Sequence, residues 1–143
     1  TLKQGLLVFW ALWLTVVFLG NLCDLLKRLR VLNPGWKFAS GNYDLMKKTT
    51  AVYHLSDTVV LLLLIGVVIW EGVAAVLMWS AAFTLASSGL GGVYSAFAFS
   101  LALWAAFMVA DELFIAYETE PIHTGIFIAQ AASLLLLCLL PSA

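Results

Sequence analysis

Both histidines and four of the eight carboxylates of this chain stand beside the ends of long apolar runs. With one asparagine they form a polar group whose residue types can do chemistry: Asn21, Asp24, His54, Asp57, Asp111, Glu112 and His123. Two imidazoles at matching depth on two helices can serve as the axial ligands of a b-type haem. Mixed imidazole and carboxylate ligands can instead hold a metal ion, or handle a proton for a quinone or a transport step.

A plainer interpretation of this polar group is that its members stand at the water boundary, where charge costs little. The spacing adds no metal signal, because the chain has no H-x-x-H or C-x-x-C motif. It also has no nucleotide-binding loop and no G-x-S-x-G motif. We therefore predict no catalytic residue and no metal site. His54 and His123 are kept as haem or quinone ligands under an alternative interpretation.

Glu71 is the carboxylate that lies deep in an apolar run, 14 residues beyond Asp57, or roughly 20 Å by helical rise. An ionised carboxylate at that depth costs several kcal/mol unless it is paired, hydrated or protonated. No Lys or Arg lies in a predicted span to pair with it. We expect Glu71 to be neutral, or hydrogen-bonded within the bundle to a Trp, Ser or Thr donor. An intramembrane ionisable residue is by default a candidate functional residue.

The elements that position these residues follow from the composition. Of the 143 residues, 64% are apolar and 10% are charged, the net charge is -1 and the mean hydropathy is +1.04. Soluble domains carry about 45–50% apolar and about 25% charged residues, and a domain of this size has too little interior to bury the excess. The composition excludes a soluble domain, a disordered chain and a nucleic-acid-binding protein. It predicts an integral membrane protein surrounded by the lipid bilayer.

Four apolar runs are long enough to cross the hydrocarbon layer as helices, which takes about 20 residues. They cover about 6–22, 51–79, 92–110 and 122–140. Because the runs do not alternate, barrel strands are excluded, and the predicted fold class is all-α, a four-helix transmembrane bundle forming one domain over 1–143. No small-x-small cleavage site follows the first run, so we expect a retained helix there. His54 and Asp57, three residues apart, are expected on one face of the second helix.

The connections between the runs differ in charge. Six of the seven basic residues lie in a polar segment at 25–50, where Trp36 and Phe38 are expected at the interface, and 111–121 form an acidic connector. The positive charge places segment 25–50 in the cytoplasm and both termini outside, in what we take as a bacterial inner membrane. With four spans, the acidic connector lies on the same side. The polar group then gathers at one end of the bundle whichever way the protein faces.

Small residues recur every four positions on the third run. One row contains Gly92, Ala96 and Ser100, and another contains Ala98, Ala102, Ala106 and Ala110. Such spacing lets helices approach closely, either within the bundle or against a neighbouring subunit.

Several short motifs resemble those of a known family. Asn21-x-x-Asp24, then a polar loop, then Glu71-Gly72, then Glu112-x-Phe114 look like a bacterial family of predicted small four-helix integral membrane proteins of unknown function. The resemblance covers most of the chain. It implies the fold and no activity.

These observations favour a non-catalytic accessory subunit of a larger bacterial membrane complex, such as an energy-converting or oxidoreductase assembly. The connectors are too short to form a catalytic domain, and other membrane subunits are the expected partners. Two alternatives stay open: a membrane anchor that binds haem b or a quinone through His54 and His123, and a small proton-coupled transporter built around Glu71.

Overall fold

The structure is a computed structural model that describes residues 1–141, apart from the side chain of Ser88. Its helices are α1 (Leu2–Arg28), α2 (Asn42–Thr50), α3 (Asp57–Ser88), α4 (Gly91–Phe114) and α5 (Glu120–Leu139), with a 3₁₀ turn at Ala51–Tyr53. The described residues contain no strand. Four helices, α1, α3, α4 and α5, are long and apolar enough to cross a membrane. The predicted all-α four-helix bundle is confirmed, and the chain is a multi-pass integral membrane protein.

Local chemistry fixes the ends of these helices. At the start of α3, Ser56 Oγ accepts a hydrogen bond from the backbone N of Val59 at 3.4 Å. Gly89 ends α3 with a φ of +59°, a conformation that glycine adopts without steric cost. Pro121 lies in the first turn of α5, where its missing N–H would have no helical partner.

The bounds of the first two spans differ from the sequence expectation. The second span begins at Asp57 and not near residue 51, because Ser56 caps it and the preceding residues form a separate 3₁₀ turn. It continues past residue 79 to Ser88, since no helix breaker occurs before Gly89. The first span runs on from residue 22 to Arg28, and its basic last turn suits the negative end of the helix dipole.

Helix α2 lies inside segment 25–50, which the sequence presents as a polar connection. The helix has nine residues and lacks the long apolar periodicity that signals a helix in a sequence. Its stability comes from packing against α1 and α3. Tyr43 of α2 joins Leu25 of α1 and Val60, Leu64 and Val68 of α3 in one buried apolar cluster.

The spanning helices pack in chain order, α1 against α3, α3 against α4, and α4 against α5. A main apolar cluster joins all four helices and includes Leu14, Met78, Phe97 and Leu137. A hydrogen bond of 2.9 Å from Trp10 Nε1 to Ser133 Oγ links α1 to α5. This frame holds the middle of α3 against α1, which is where the candidate site lies.

Candidate functional site

Glu71 lies in the middle of α3 and is buried, with 1% of its surface exposed. Both of its carboxyl oxygens accept a hydrogen bond from Asn21 Nδ2 of α1, at 2.7 and 2.8 Å. Asn21 is also 1% exposed. Among the described residues, Glu71 has no ion-pair partner. The carboxyl is therefore held by an amide, and not by the Trp, Ser or Thr donors that the sequence suggested.

Asn21 reaches Glu71 because α1 is longer than the sequence indicated. The sequence placed Asn21 at the end of the first span, whereas the helix continues to Arg28. The seven residues at 22–28 place Asn21 about 10 Å inside the helix end. The expectation that the first span ends near residue 22 is therefore wrong.

Asn42 extends the contact from Asn21 toward the membrane boundary. Its Nδ2 donates to Asn21 Oδ1 at 2.6 Å. Asn42 begins α2 and is half-buried. A chain of three polar side chains thus connects the middle of α3 with the start of α2. No sequence signal marks Asn42, because its position depends on how α2 packs between α1 and α3.

Asp24 of α1 holds the start of α2 in place. Its Oδ2 accepts a hydrogen bond from the backbone N of Tyr43 at 2.8 Å and lies 3.5 Å from Ser40 Oγ. A carboxylate at this position satisfies a free N–H of the first helical turn and favours the positive end of the helix dipole. Gly41, directly before α2, has a φ of +75°, so the turn into α2 requires the left-handed conformation that glycine adopts most easily.

The hydrogen-bond chain has a direction. Asn42 donates to Asn21 and Asn21 donates to Glu71, so the carboxyl oxygens act only as acceptors, which fits an ionised carboxylate. A protonated carboxyl has an O–H to donate. Rotation of both side-chain amides by 180° exchanges their Oδ1 and Nδ2 atoms and reverses the chain. Glu71 then donates to Asn21 Oδ1, and Asn21 Nδ2 donates to Asn42 Oδ1. The arrangement therefore accommodates both protonation states of Glu71 with the same three side chains in contact.

Asp57 belongs to a separate, exposed group at the start of α3. Its carboxylate lies 3.2 Å from an Arg28 nitrogen and 2.9 Å from Lys47 Nζ. The hydrogen bond and charge of Asp57 raise the pKa of Lys47 above its usual value. Exposed pairs of this kind contribute little to stability. Their effect is to place one negative charge beside two of the six cations of segment 25–50.

His123 and Asp111 form a second, partly buried pair that joins the first turn of α5 to the last turn of α4. His123 Nδ1 lies 2.6 Å from Asp111 Oδ2, and Thr119 Oγ1 donates to Asp111 Oδ1 at 2.6 Å. The imidazole stacks on Phe107 with 4.9 Å between ring centres. Asp111 is 4% exposed. These contacts hold the acidic connector against the ends of α4 and α5. Tyr53 Oη links the connector to the 3₁₀ turn before α3 by donating to the Leu113 carbonyl oxygen at 2.8 Å.

His54 lies outside α3 and corrects the expectation that it shares a helix face with Asp57. It follows the 3₁₀ turn with a φ of +52° and is exposed. Ser56, and not His54, caps the helix, so His54 and Asp57 are not neighbours on one face. Glu112 is also exposed, and none of its side-chain atoms makes a hydrogen bond within the described residues. Haem or quinone binding by His54 and His123 stays a prediction that gains no support from these contacts.

Metal ligands do not gather anywhere in residues 1–141: no three His, Cys, Asp or Glu side chains lie close enough to hold an ion. The open groove between α2 and the acidic connector is lined by Leu45, Thr49, Val52, Phe114 and Tyr117, with neither histidine among its walls. The group with the most specific geometry is thus the hydrogen-bond chain of Glu71, Asn21 and Asn42.

Comparison with protein-family models, with curated proteins and with solved structures finds no match. The resemblance to a bacterial family of small four-helix membrane proteins therefore stays a prediction.

Proposed function

We propose that this multi-pass membrane protein is a non-enzymatic, proton-binding membrane subunit. In this proposal the Glu71 carboxyl binds the proton, and the start of α2 covers the carboxyl from the side of the membrane where segment 25–50 lies. The observation that carries the proposal is the hydrogen-bond chain from Glu71 through Asn21 to Asn42.

The environment of Glu71 supports a carboxyl that changes its protonation state. Burial and the two contacts from Asn21 act in opposite directions on the ionised form. A cation beside Glu71 would hold it ionised, and none of the ion pairs of the described residues includes it. Asp57 differs from Glu71 in this respect, because Arg28 and Lys47 beside it keep its carboxylate charged.

The position of α2 supports access from one side of the membrane. Amide side chains do not themselves titrate, so a proton reaches Glu71 only when water reaches the carboxyl. Two residues, Asn21 and the half-buried Asn42, separate Glu71 from the exposed turn at Ser40 and Gly41. A small displacement of the first turn of α2 would expose Asn21 to water without disturbing the main apolar cluster.

Infrared difference spectroscopy of the protein in lipid, recorded across a range of buffer pH, tests the proposal. We expect a carboxylic-acid carbonyl band that changes with pH in the wild type and is missing in Glu71→Gln. The control is Glu112→Gln, which removes an exposed carboxyl at the end of α4 and leaves the Glu71 band in place. A spectrum that Glu71→Gln leaves unchanged would overturn the proposal.

A second candidate function is an accessory subunit of a larger membrane complex, and the exposed face of α4 favours it. Ala98, Ala102 and Ala106 are all exposed along this helix, whereas the other small row, at Ala96 and Ser100, is buried inside the bundle. Small residues on a lipid-exposed face allow a helix of another subunit to pack closely. This role is compatible with proton binding at Glu71.

Purification from native membranes in mild detergent tests this second role. We expect defined membrane proteins to co-purify with the wild type and to be lost in Ala102→Leu, which adds bulk to the exposed face of α4. The control Val76→Leu changes an exposed side chain of α3, which is 68% accessible. Equal co-purification with both variants would contradict docking at α4.

A further inference from the structure

An ordered turn at residues 27–38 contains the last two residues of α1 and the chain that follows them toward α2. The backbone N of Val31 donates to the Leu26 carbonyl oxygen at 2.9 Å, and the backbone N of Trp36 donates to that of Asn33, also at 2.9 Å. Lys27 Nζ donates to the Trp36 carbonyl oxygen at 3.2 Å. These bonds fold the turn back onto the end of α1 and bring Lys27 next to Trp36 and Lys37.

Three cations of this turn have no carboxylate partner among the described residues. Arg28 and Lys47 pair with Asp57, and Lys48 lies 3.8 Å from Glu118. Across residues 1–141, no such pair includes Lys27, Arg30 or Lys37. The nearest acidic residue along α1 is Asp24, whose carboxylate accepts hydrogen bonds from the backbone N of Tyr43 and from Ser40 Oγ. The turn therefore carries positive charge that the protein itself does not neutralise.

The same turn exposes apolar side chains beside these cations. Val31 is 68% exposed, Trp36 48% and Phe38 49%. The turn directly follows a membrane-spanning helix, so it lies at the depth of the headgroups. Aromatic side chains favour that depth, and cations there are attracted to anionic lipids.

We infer that this basic turn binds the phosphate of an anionic phospholipid headgroup. The basic turn is defined by Lys27, Arg30 and Lys37 with Val31, Trp36 and Phe38. The cations contact the phosphate and the apolar side chains contact the upper part of the acyl chains. A soluble anion would satisfy the cations and leave the three apolar side chains exposed to water. This inference is independent of proton binding at Glu71.

Native mass spectrometry of the detergent-purified protein, titrated with phosphatidylglycerol or with phosphatidylcholine of the same acyl chains, tests the inference. We expect the wild type to retain phosphatidylglycerol preferentially. Each cation replaced by Gln lowers that preference about fivefold at low salt, so the Lys27→Gln, Arg30→Gln, Lys37→Gln triple variant loses it. Lys48→Gln keeps it, because Lys48 lies outside the turn and near Glu118.

A further variant separates the effect of apolar contact from that of charge, and competition by inorganic phosphate separates a lipid site from a free-phosphate site. Trp36→Ala weakens retention of both lipids and leaves the preference between them, because it removes apolar contact and no charge. Circular dichroism shows that each variant keeps its helices. A triple variant with the wild-type preference would overturn the inference. So would competition by inorganic phosphate as effective as that of phosphatidylglycerol, because it would indicate a free-phosphate site.

Discussion

Asn21 on α1 places one amide nitrogen 2.7 and 2.8 Å from the two carboxyl oxygens of Glu71 on α3. Both side chains are 1% exposed, and the two helices that carry them form the most extensive helix pair of the bundle. Polar side chains inside a membrane protein are costly unless they are satisfied by each other. This contact therefore links the packing of α1 on α3 to the chemistry of Glu71.

Removing either partner of this contact should destabilise the bundle. We expect Asn21→Ala to lower the free energy of unfolding by about 1–3 kcal/mol, because it leaves a buried carboxyl without its donor. In a double-mutant cycle with Glu71→Ala, we expect a coupling of about 1–2 kcal/mol. That exceeds the average of about 0.6 kcal/mol for side-chain hydrogen bonds between transmembrane helices, because two contacts reach one carboxyl. Unfolding in mixed detergent measures these values, and additive single effects would contradict the coupling.

A side chain at Gly41 should destabilise the turn before α2. Its φ of +75° makes Gly41→Ala cost about 1–2 kcal/mol, and the strain should loosen the docking of α2. Hydrogen exchange of the α2 amides should become faster in this variant, while that of α3 stays slow. Gly125→Ala is the matched control, since its new Cβ meets nothing within 4 Å inside helix α5. Unchanged α2 protection in Gly41→Ala would argue against a tightly fixed turn.

The close approach of α1 to α3 should depend on Gly72. A Cβ at this position would lie 3.0 Å from Cε2 of Phe18, so Gly72→Ala requires the half-buried Phe18 ring to move by a few tenths of an ångström. We expect a loss of about 1–3 kcal/mol, recovered in part by adding Phe18→Leu. Gly66→Ala, on the same helix with open space around its new Cβ, should be neutral or slightly stabilising. Equal unfolding free energies for the Gly72 and Gly66 variants would refute this packing.

The pair of Asp111 and His123 should fix the tautomer of the imidazole. With the carboxylate 2.6 Å from Nδ1, the neutral ring carries its proton on Nδ1 and leaves Nε2 free. Nitrogen NMR of labelled histidine distinguishes the two tautomers. We expect Asp111→Ala to shift His123 toward the Nε2–H form while the exposed His54 signal stays unchanged. A His123 signal that does not respond to Asp111→Ala would contradict the pairing.

The sequence predicts the spanning helices because long apolar runs determine them directly. The depth of Glu71 is also readable, since helical rise converts residue number into distance. The hydrogen-bond partner of Glu71 cannot be predicted in this way, because the contact with Asn21 depends on α1 continuing to Arg28. Asn42 is still less accessible to prediction, since the nine-residue helix α2 is stabilised by tertiary contacts through Tyr43. Helix caps also determine which residues belong to a helix. Because Ser56 caps α3, His54 lies outside that helix.

Whether Glu71 binds a proton that enters past α2 can be measured as the rate at which the Glu71 carboxyl exchanges its proton for deuterium. Transfer of the protein in lipid into heavy water should shift the Glu71 carbonyl band in the infrared spectrum. We predict measurable exchange in the wild type, faster exchange in Gly41→Ala because the cover formed by α2 is loosened, and no such band in Glu71→Gln. A Glu71 band that exchanges at the same rate in the wild type and in Gly41→Ala, or that never exchanges, would contradict proton access to Glu71 past α2.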